Sequence, residues 1–197
     1  MTTSAPVYFV RHGQTDWNAE NRLQGQAETD INALGREQAT QNGRTLKALI
    51  ADPSGFDFVA SPLRRTRETM ERIRRAMGLD PFAYRTDARL AELNFGDWQG
   101  FTYDELELRE PGSKARRALD KWNFQPPGDA AESYEMLKDR VAPWLGEVTS
   151  RTVCVTHGGI FRVLFRMIGD LTQKKAAVLP VPQDRVLMLE NGTLTWL

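Results

Sequence analysis

The chain has only two histidines, and each follows a short apolar segment. His12 comes after residues 7–10, His157 comes after residues 151–156, and a glycine follows each of them. Short runs rich in β-branched and aromatic residues are typical of buried parallel strands. Ligands of open α/β sheets bind beyond the carboxyl ends of such strands. The sequence therefore predicts two imidazoles at the ligand-binding edge of one sheet, where imidazole can act as a nucleophile or carry protons.

Arg11, the neighbour of the first histidine, favours a nucleophilic imidazole. A fixed cation beside His12 should lower the pKa of the ring, because it disfavours the imidazolium form. The ring is then neutral near pH 7 and has a lone pair for attack on an electrophile. Arginine is also abundant in the chain, since 20 of the 26 cationic side chains are Arg. Its donors fit carboxylate or phosphate oxygens two at a time, although genomic composition also favours Arg.

A second group of arginines lies at residues 61–67, which read SPLRRTR and open a predicted helix. Ser61 is predicted as the N-cap and Pro62 as the first helical residue. Arg64 and Arg65 then oppose the positive end of the helix dipole, an arrangement that suits an anion at the helix N-terminus. The arginines further along this helix are predicted to form a solvated basic face: Arg72, Arg74 and Arg75.

The charge balance excludes several classes of partner. Lys plus Arg and Asp plus Glu each number 26, so the formal net charge is zero. Binding to nucleic acid or to a membrane surface would need a net basic face. The chain also lacks an apolar run of roughly 18 residues and the basic and apolar regions of a secretory signal. We therefore expect a cytoplasmic protein with no nucleic-acid or membrane partner.

A metal site is the first alternative for the two histidines. Structural zinc sites need four N or S ligands and catalytic ones usually three. Cys154, the only cysteine, lies in an apolar run and is predicted to be a small buried hydrophobe. No metal is therefore predicted, although two histidines with a distant carboxylate remain an alternative.

Strands and helices are predicted to alternate along the chain. The predicted strands are residues 7–10, 56–60, 82–86 and 151–156, with a closing hairpin of 185–189 and 194–196 around Asn191-Gly192. The predicted helices are 32–50, 61–77, 103–108, 114–122, 131–148 with a kink or break at Pro143, and 160–168. This order predicts a three-layer α/β/α fold with a mostly parallel central sheet. We expect one domain over residues 1–197, with 94–130 as an insertion that caps the site.

Four blocks of the sequence form a recognisable pattern. Residues 10–18 read VRHGQTDWN and continue through 22–26 and 34–39, residues 61–69 read SPLRRTRET, 89–100 read RLAELNFGDWQG, and 155–159 read VTHGG. Together they resemble the histidine phosphatase superfamily, the phosphoglycerate-mutase-like group, whose RHG-x-[ST]-x-x-N signature matches the first block. The blocks occur in family order and cover most of the chain.

The resemblance implies a role for each matched residue. His12 would be the nucleophile that becomes phosphorylated, and Arg11, Arg65 and His157 would surround the transferring phosphoryl group. Asn18 would hold a phosphate oxygen, and Gln24 would line the substrate side. Glu92 would protonate the leaving oxygen and then activate water. These roles fit phosphoryl transfer, whose catalysis is mostly positioning and electrostatic stabilisation.

Several segments depart from the family pattern. Gln99 stands where Glu is common, at a position expected outside the reacting groups. Residues 27–32 replace a frequent Asp-x-Pro-Leu-Asn stretch, so specificity does not transfer there, and 128–133 only loosely match a Gly-Glu-Ser stretch. Aromatic residues of the insertion could cap the pocket or pack under it: Trp98, Phe101, Tyr103, Trp122 and Phe124.

The resemblance implies a metal-independent phosphomonoester hydrolase, without a cofactor, for a small phosphorylated substrate. A cofactor-dependent phosphoglycerate mutase is the nearest alternative. Mutases of that type are typically longer, with a C-terminal tail, whereas this sequence stops at Leu197 after the predicted hairpin, so we expect hydrolysis. An alpha-ribazole phosphatase and a non-catalytic binder of phosphorylated ligands are further alternatives, and a homodimer stays open.

Overall fold

The computed structural model describes residues 5–197, which form a six-stranded mixed sheet flanked by helices. The strands are β1 (Val7–Arg11), β2 (Asp57–Ala60), β3 (Arg85–Thr86), β4 (Thr152–Thr156), β5 (Val186–Glu190) and β6 (Thr193–Trp196). Their order is β3-β2-β4-β1-β5-β6. The first four strands pair in parallel, and β5 and β6 add an antiparallel hairpin. The predicted fold class is confirmed.

The ends of the sheet differ in how well the sequence predicts them. The hairpin turns at Asn191 and Gly192, whose φ angles of 49° and 74° fit a two-residue turn. The predicted strand at 82–86 is wrong for its first three residues. Only Arg85 and Thr86 pair with β2, and the side chain of Phe82 is 69% exposed, so this apolar residue does not join the sheet.

The helices are α1 (Asp16–Ala19), α2 (Ala33–Leu49), α3 (Arg64–Met77), α4 (Tyr103–Arg109), α5 (Ser113–Leu119), α6 (Tyr134–Glu147), α7 (Gly158–Met167) and α8 (Gln173–Ala176). Short 3₁₀ turns occur at Ala88–Leu90 and Gly96–Trp98. The sequence reasoning missed the four-residue helices α1 and α8. Pro143 lies inside α6 without ending it. No helix of residues 5–197 is long and apolar enough to cross a membrane.

Alternating strand residues pack into two apolar cores, one on each face of the sheet. Tyr8 and Val10 face α2 and α3, together with Leu46 and Ile73. The intervening Phe9 faces the other core, where its ring meets Trp144 and Phe161 edge-on at 6.2 and 6.3 Å between ring centroids. Burial of each such side chain contributes roughly 1.5–3 kcal/mol. The two cores hold β1 and β4 rigidly between the helix layers.

The start of α3 corrects two predictions. The helix begins at Arg64 with Leu63 as its N-cap, so Ser61 is not the N-cap and Pro62 is not helical. The anion at this helix N-terminus is the carboxylate of Glu28, which accepts a hydrogen bond from the Arg64 backbone N–H at 2.9 Å. The exposed Arg64 guanidinium forms an ion pair with the exposed Asp30 carboxylate at 2.5 Å.

The predicted solvated basic face of α3 is wrong at Arg74. This side chain is 6% exposed, lies 4.3 Å above the centre of the Phe58 ring and donates to the Asp80 carbonyl at 2.7 Å. Arg75 is exposed, and Arg72 is half-buried and pairs with Glu68 at 3.0 Å. Charge alone did not predict the stacking of a guanidinium on an aromatic ring.

Residues 94–130 pack beside the carboxyl ends of the parallel strands. Their backbone pairs with Leu23, which donates to the Phe101 carbonyl and accepts from the Gly100 N–H. The segment's own Trp98 and Trp122 are both 1% exposed, and their side chains pack in the core. Phe124 stacks beside Trp98 at 5.2 Å. Of the five aromatic residues considered from sequence, Tyr103 alone lines the neighbouring cavity.

Candidate active site

A cavity of about 440 Å³ opens at the carboxyl end of β1. One part of its wall, here called the proximal end, consists of Arg11, His12, Asn18, Gln24, Arg65 and Glu92. These are the residues predicted from sequence, except for His157. The strands, the start of α3 and the loop after the first 3₁₀ turn each contribute to it.

Strand register brings the two histidines together. In the β1–β4 pair, Arg11 lies opposite Thr156, so the next residues, His12 and His157, leave the sheet side by side. Their ring centroids are 5.2 Å apart, with 59° between the ring planes. His12 is 2% exposed and His157 is fully buried. The prediction that both imidazoles share one edge of the sheet agrees with this geometry.

The hydrogen bond of His12 fixes the position of its proton. Nδ1 lies 2.8 Å from the Gly13 carbonyl oxygen. Because a carbonyl only accepts, Nδ1 must carry the proton, and in the neutral ring Nε2 then has the lone pair. Burial, followed by the charges of Arg65 and Arg11, holds the pKa of His12 well below its usual range. The ring is therefore neutral at pH 7.

His157 sits behind His12 rather than on the cavity wall. Its Nε2 is 2.7 Å from Ser61 Oγ, and its Nδ1 is buried without a partner among residues 5–197. Burial, with Arg65 next, also holds the pKa of His157 well below its usual range. Ser61 therefore orients this ring instead of capping α3.

Backbone carbonyls hold the guanidinium of Arg65. Its Nη2 donates to Gly25 O at 2.7 Å, and its Nη1 donates to Ala27 O at 2.8 Å. The side chain is fully buried, and burial lowers its pKa to about 10. Arg65 thus remains cationic at neutral pH, with no carboxylate to neutralise it among the ion pairs of residues 5–197.

Arg11 is held in a similar way from the opposite side. Its Nη1 donates to Val181 O at 2.6 Å, and its Nε is buried without a partner among the described residues. Burial, followed by the charge of Arg162, lowers the pKa of Arg11 to about 10. Two fixed cations therefore flank His12, a suitable arrangement for an oxyanion.

The carboxylate of Glu92 lies at the N-terminus of α7. Oε1 accepts from the Leu93 N–H at 2.9 Å and from the Gly159 N–H at 3.1 Å. A methyl group at Gly159 would lie 2.1 Å from Oε1, so this position must be glycine while Glu92 keeps its place. Arg140 fixes the chain around Glu92 through the carbonyls of residues 89, 91 and 92.

Asn18 has its amide orientation set by its neighbours. Its Oδ1 accepts from the Thr15 N–H at 3.2 Å and from Gln183 Nε2 at 3.0 Å. The Nδ2 group makes no hydrogen bond within residues 5–197, which leaves it free to donate to a ligand. Gln24, also on the wall, accepts from Thr29 Oγ1 at 2.9 Å.

The segments that depart from the family pattern have structural contacts. Residues 27–32 do not line the cavity in the described structure; Ala27 holds Arg65 instead. Gln99 Oε1 accepts from the Gln26 N–H at 2.6 Å. Within 128–133, Ser133 caps α6. None of these three segments lines the cavity; their contacts are with residues beside or behind its wall.

The sequence reasoning missed the far part of the cavity, here called the distal end, which consists of Arg117, Lys121 and Arg162. Phe95, Tyr103 and Tyr134 lie around these cations. A signal was present: Arg117 and Lys121 are four residues apart on a predicted helix, and Arg162 interrupts an apolar one. Within residues 5–197, no three His, Cys, Asp or Glu side chains are grouped closely enough to hold a metal ion.

Comparison with known proteins gives a consistent family. The model of the histidine phosphatase superfamily (branch 1) matches residues 7–193. Probable phosphoglycerate mutase GpmB of Salmonella paratyphi C (strain RKS4594) is 36% identical over 194 residues, covering 96% of this chain and 82% of the relative. Glucosyl-3-phosphoglycerate phosphatase of Mycolicibacterium vanbaalenii is 35% identical over 204 residues, covering 96% and 81%.

Solved structures have the same fold. A mycobacterial glucosyl-3-phosphoglycerate phosphatase in complex with VO3 superposes with a TM-score of 0.78 at 27% identity, over 98% of this chain and 96% of that one. A second structure, the protein TTHB049 from Thermus thermophilus, superposes with a TM-score of 0.69 at 31% identity, over 93% and 92%.

Proposed function

This chain belongs to the histidine phosphatase superfamily, and from that premise we propose that it hydrolyses a small phosphomonoester through a phosphohistidine intermediate, without a metal ion. The observation that carries the proposal is the state of His12. Its proton is on Nδ1, and its pKa is held low, which leaves a neutral Nε2 at the cavity between two fixed guanidinium groups.

In the first step, Nε2 of His12 attacks phosphorus in line with the ester oxygen. An N–P bond forms as the P–O bond to the alcohol breaks. Glu92 gives a proton to the departing oxygen, so that the alcohol leaves without a negative charge.

In the second step, water attacks the phosphohistidine. Glu92, now ionised, takes a proton from the water, a P–O bond forms, and the N–P bond breaks to return the neutral imidazole and inorganic phosphate. The same carboxyl group therefore acts first as acid and then as base.

Arg11 and Arg65 stabilise the charge that spreads over the equatorial oxygens in both steps. Because carbonyl oxygens hold both guanidinium groups, little reorganisation is needed when the charge develops. Asn18 donates through Nδ2 to one of these oxygens, and His157 supports His12 from behind. The relatives support phosphomonoester chemistry, since their names include a phosphatase and a probable mutase.

The test is to trap the intermediate. Enzyme is mixed with a ³²P-labelled phosphomonoester in the presence of EDTA and denatured in alkali, in which a phosphohistidine survives. We expect alkali-stable, acid-labile label on wild type, and none on His12→Ala, with kcat at least about 10⁴-fold lower in the variant. Circular dichroism and phosphate binding check that His12→Ala is folded. Label on His12→Ala, or turnover lost on chelation, would contradict the proposal.

The mutase alternative has a separate readout. The enzyme is incubated with 3-phosphoglycerate, with and without 2,3-bisphosphoglycerate, and both isomerised product and free phosphate are followed. We expect phosphate release to exceed isomerisation under both conditions. Isomerisation faster than hydrolysis would make the chain a mutase with the same intermediate. Ligand binding without either reaction would make it a binder.

A further inference from the structure

Residues 177–185, which connect α8 to β5, pass beside the candidate active site. β5 runs antiparallel to β1, with Val186 opposite Val10. The residues just before β5 therefore come to the end of β1, where His12 leaves the sheet. One of them, Gln183, is half-buried and lines the cavity, and the proposed reaction gives its side chain no role.

The same segment holds two arginines of the cavity wall through alternate residues. Leu179 O accepts from Arg162 Nε at 3.1 Å, and Val181 O accepts from Arg11 Nη1 at 2.6 Å. Gln183 is the next residue in this alternation, but it contacts the site with its side chain instead of its carbonyl. The segment therefore fixes polar groups of the wall along its length.

The side-chain amide of Gln183 connects the nucleophile to its neighbour on the wall. Nε2 lies 3.0 Å from His12 O and 3.0 Å from Asn18 Oδ1. Because the His12 carbonyl only accepts hydrogen bonds, the Gln183 atom beside it must be the N–H₂ group and not Oε1. Its two hydrogens serve the two acceptors, so one nitrogen sets the position of Asn18 relative to the backbone of His12.

These contacts determine which end of the Asn18 amide is available to a ligand. Gln183 Nε2 and the Thr15 backbone N–H and hydroxyl group all donate to Oδ1, the latter two at 3.2 Å. Nδ2 has no hydrogen-bond partner within residues 5–197, and Asn18 lines the cavity. With the amide reversed, Oδ1 would direct its lone pairs at the oxygens of a bound phosphoryl group, which also accept hydrogen bonds.

Asn42 holds Gln183 from the helix layer behind it. Asn42 lies on α2, is 1% exposed and donates from Nδ2 to Gln183 O at 2.9 Å. Its Oδ1 is buried without a partner in the described part of the chain, so burial of this amide has a free-energy cost that one hydrogen bond only partly offsets. The backbone of Gln183 is thus fixed by protein contacts, independently of a substrate.

We propose that Gln183 is a positioning residue for phosphoryl transfer: its N–H₂ group fixes the Asn18 amide so that Nδ2 donates to the transferring phosphoryl group beside His12. This inference rests on the proposed function, because it takes the phosphoryl group to lie between His12 and Asn18. Gln183 acts through Asn18 rather than on the substrate. It keeps a donor in place, so that no rotation of the amide is needed when negative charge develops.

A double-mutant cycle tests whether Gln183 acts through Asn18. Gln183→Met keeps the length of the side chain but removes the donor, and we expect kcat/KM to fall about tenfold for alkyl phosphates and p-nitrophenyl phosphate alike. Asn18→Ala should lower kcat/KM about 10²-fold. Adding Gln183→Met to Asn18→Ala should lower it by less than about threefold further. Losses that multiply would refute the positioning role.

A carboxyl group at the same position gives a pH-dependent form of the test. In Gln183→Glu the ionised side chain can only accept, whereas the protonated one can donate a single hydrogen bond. We expect kcat/KM, relative to wild type at the same pH, to be about 10²-fold lower at about pH 7.5 and about tenfold closer to wild type at about pH 5. A ratio that does not change with pH would contradict the need for a donor.

Gln125→Met is the matched control for both variants. Gln125 also donates from Nε2 to a backbone carbonyl, that of Ala131 at 2.8 Å, but it does not line the cavity. Its kcat/KM should stay within about twofold of wild type at both pH values. Thermal unfolding monitors the fold of each variant, and either Gln183 variant alone decides the question if the other is unfolded.

Binding of inorganic phosphate separates this inference from the hydrolase proposal. Calorimetry should give Kd values about fivefold higher than wild type in Gln183→Met and in Asn18→Ala, and little higher still in the double variant. If phosphate binding shows this coupling but no phosphohistidine forms, the positioning role stands and the hydrolase proposal fails. If the phosphohistidine forms but the two substitutions act independently, the positioning role is refuted and the hydrolase proposal stands.

Discussion

The two ends of the cavity carry charge of the same sign, but different parts of the structure hold them. At the proximal end, carbonyl oxygens and the ends of β1 and β4 fix Arg11, His12 and Arg65. At the distal end, Arg117 rests on aromatic side chains of the inserted segment. Every residue has a backbone carbonyl, so these contacts do not depend on residue type, whereas a contact with an aromatic ring requires an aromatic residue at that position.

From this difference we expect the two ends to have separate tasks. Phosphoryl transfer needs preorganised cations whose positions do not change with the substrate, and backbone contacts provide such positions. Discrimination between leaving groups needs contacts that substitutions can alter, and side-chain packing in residues 94–130 provides these. We therefore expect the proposed chemistry to depend on the sheet and the substrate specificity on the insertion.

Replacement of Arg65, one of the two arginines at the proximal end, should have the largest effect on activity. In Arg65→Lys the charge is kept, but one ammonium cannot satisfy both the Gly25 and Ala27 carbonyls and still reach the phosphoryl group. We expect kcat/KM to fall about 10³-fold for every phosphomonoester. Steady-state kinetics with several esters measures this.

The adjacent residue provides the control for that experiment. Arg64→Lys makes the same chemical change on an exposed side chain that pairs with Asp30, and activity should stay within about twofold. A loss at Arg65→Lys confined to one class of ester would place this arginine among specificity contacts and break the division between the two ends.

A methyl group at Gly159 should displace the acid while preserving the rest of the proximal end. In Gly159→Ala the new carbon would lie 2.1 Å from Glu92 Oε1, the movable end of a side chain. We expect about 10²-fold lower kcat/KM for alkyl phosphates. The loss for p-nitrophenyl phosphate should be within about fivefold, because its leaving group needs little protonation.

A double-mutant cycle shows whether the methyl group acts through the carboxylate. Glu92→Gln should give the same dependence on the leaving group, and combining both substitutions should add little further loss. Additive losses would mean that Gly159→Ala disturbs something other than the acid, such as the start of α7.

At the proximal end, Arg11 and His12 could be predicted from the sequence because they lie at the end of a strand, whereas Asn18, Gln24 and Glu92 were predicted only from the family resemblance. Two apolar strands each followed by His-Gly suffice to place His12 and His157 together in a parallel sheet, and the structure places them so. The role of Ser61 was misassigned, since a serine before a proline is a common helix start. Only the tertiary fold brings its hydroxyl to the His157 ring.

The distal end could not be predicted from the sequence, for a different physical reason. Arg117 and Lys121 look like ordinary solvated charges on a short polar helix. Their spacing of four residues puts them on one face, but it does not show that this face lines a cavity, and the neighbouring Arg116 pairs with Glu110 at 3.5 Å. Their burial depends on how residues 94–130 fold back over Phe95 and Tyr103. Contacts between residues distant in sequence, without a periodic pattern, determine that path.

Removal of the distal ammonium should stabilise the protein. The pKa of Lys121 is lowered from 10.5 to about 8, so below about pH 8 its charge costs folding free energy. Between about pH 8 and pH 10.5 the folded state has already released the proton, so the free-energy cost of folding decreases as the pH rises. We expect Lys121→Met to raise the free energy of unfolding by about 1–2 kcal/mol at pH 7, and by less at pH 9.5. Urea unfolding measures both values.

Lys114→Met is the control, because Lys114 is exposed in the same inserted segment and pairs with Asp104; its stability should change by less than about 0.5 kcal/mol at either pH. If Lys121→Met is less stable than wild type at pH 7, the ammonium has a stabilising partner in the folded protein. The distal end would then be a structural charge cluster rather than a binding site whose unpaired charges lower the free energy of unfolding.

The smallest effect is expected where the insertion supports the proximal end. Gln99 Oε1 accepts the Gln26 N–H at 2.6 Å, and this loop presents Gly25 O to Arg65. A glutamate oxygen accepts the same bond, so in Gln99→Glu we expect kcat/KM within about twofold of wild type for all esters. Gln99→Met, of similar length but without the acceptor, should lose more, because the partly buried Gln26 N–H is left unpaired. Equal and large losses in both variants would mean that the amide N–H₂ of Gln99, and not its oxygen, holds the loop, and that the insertion directly controls the position of Arg65.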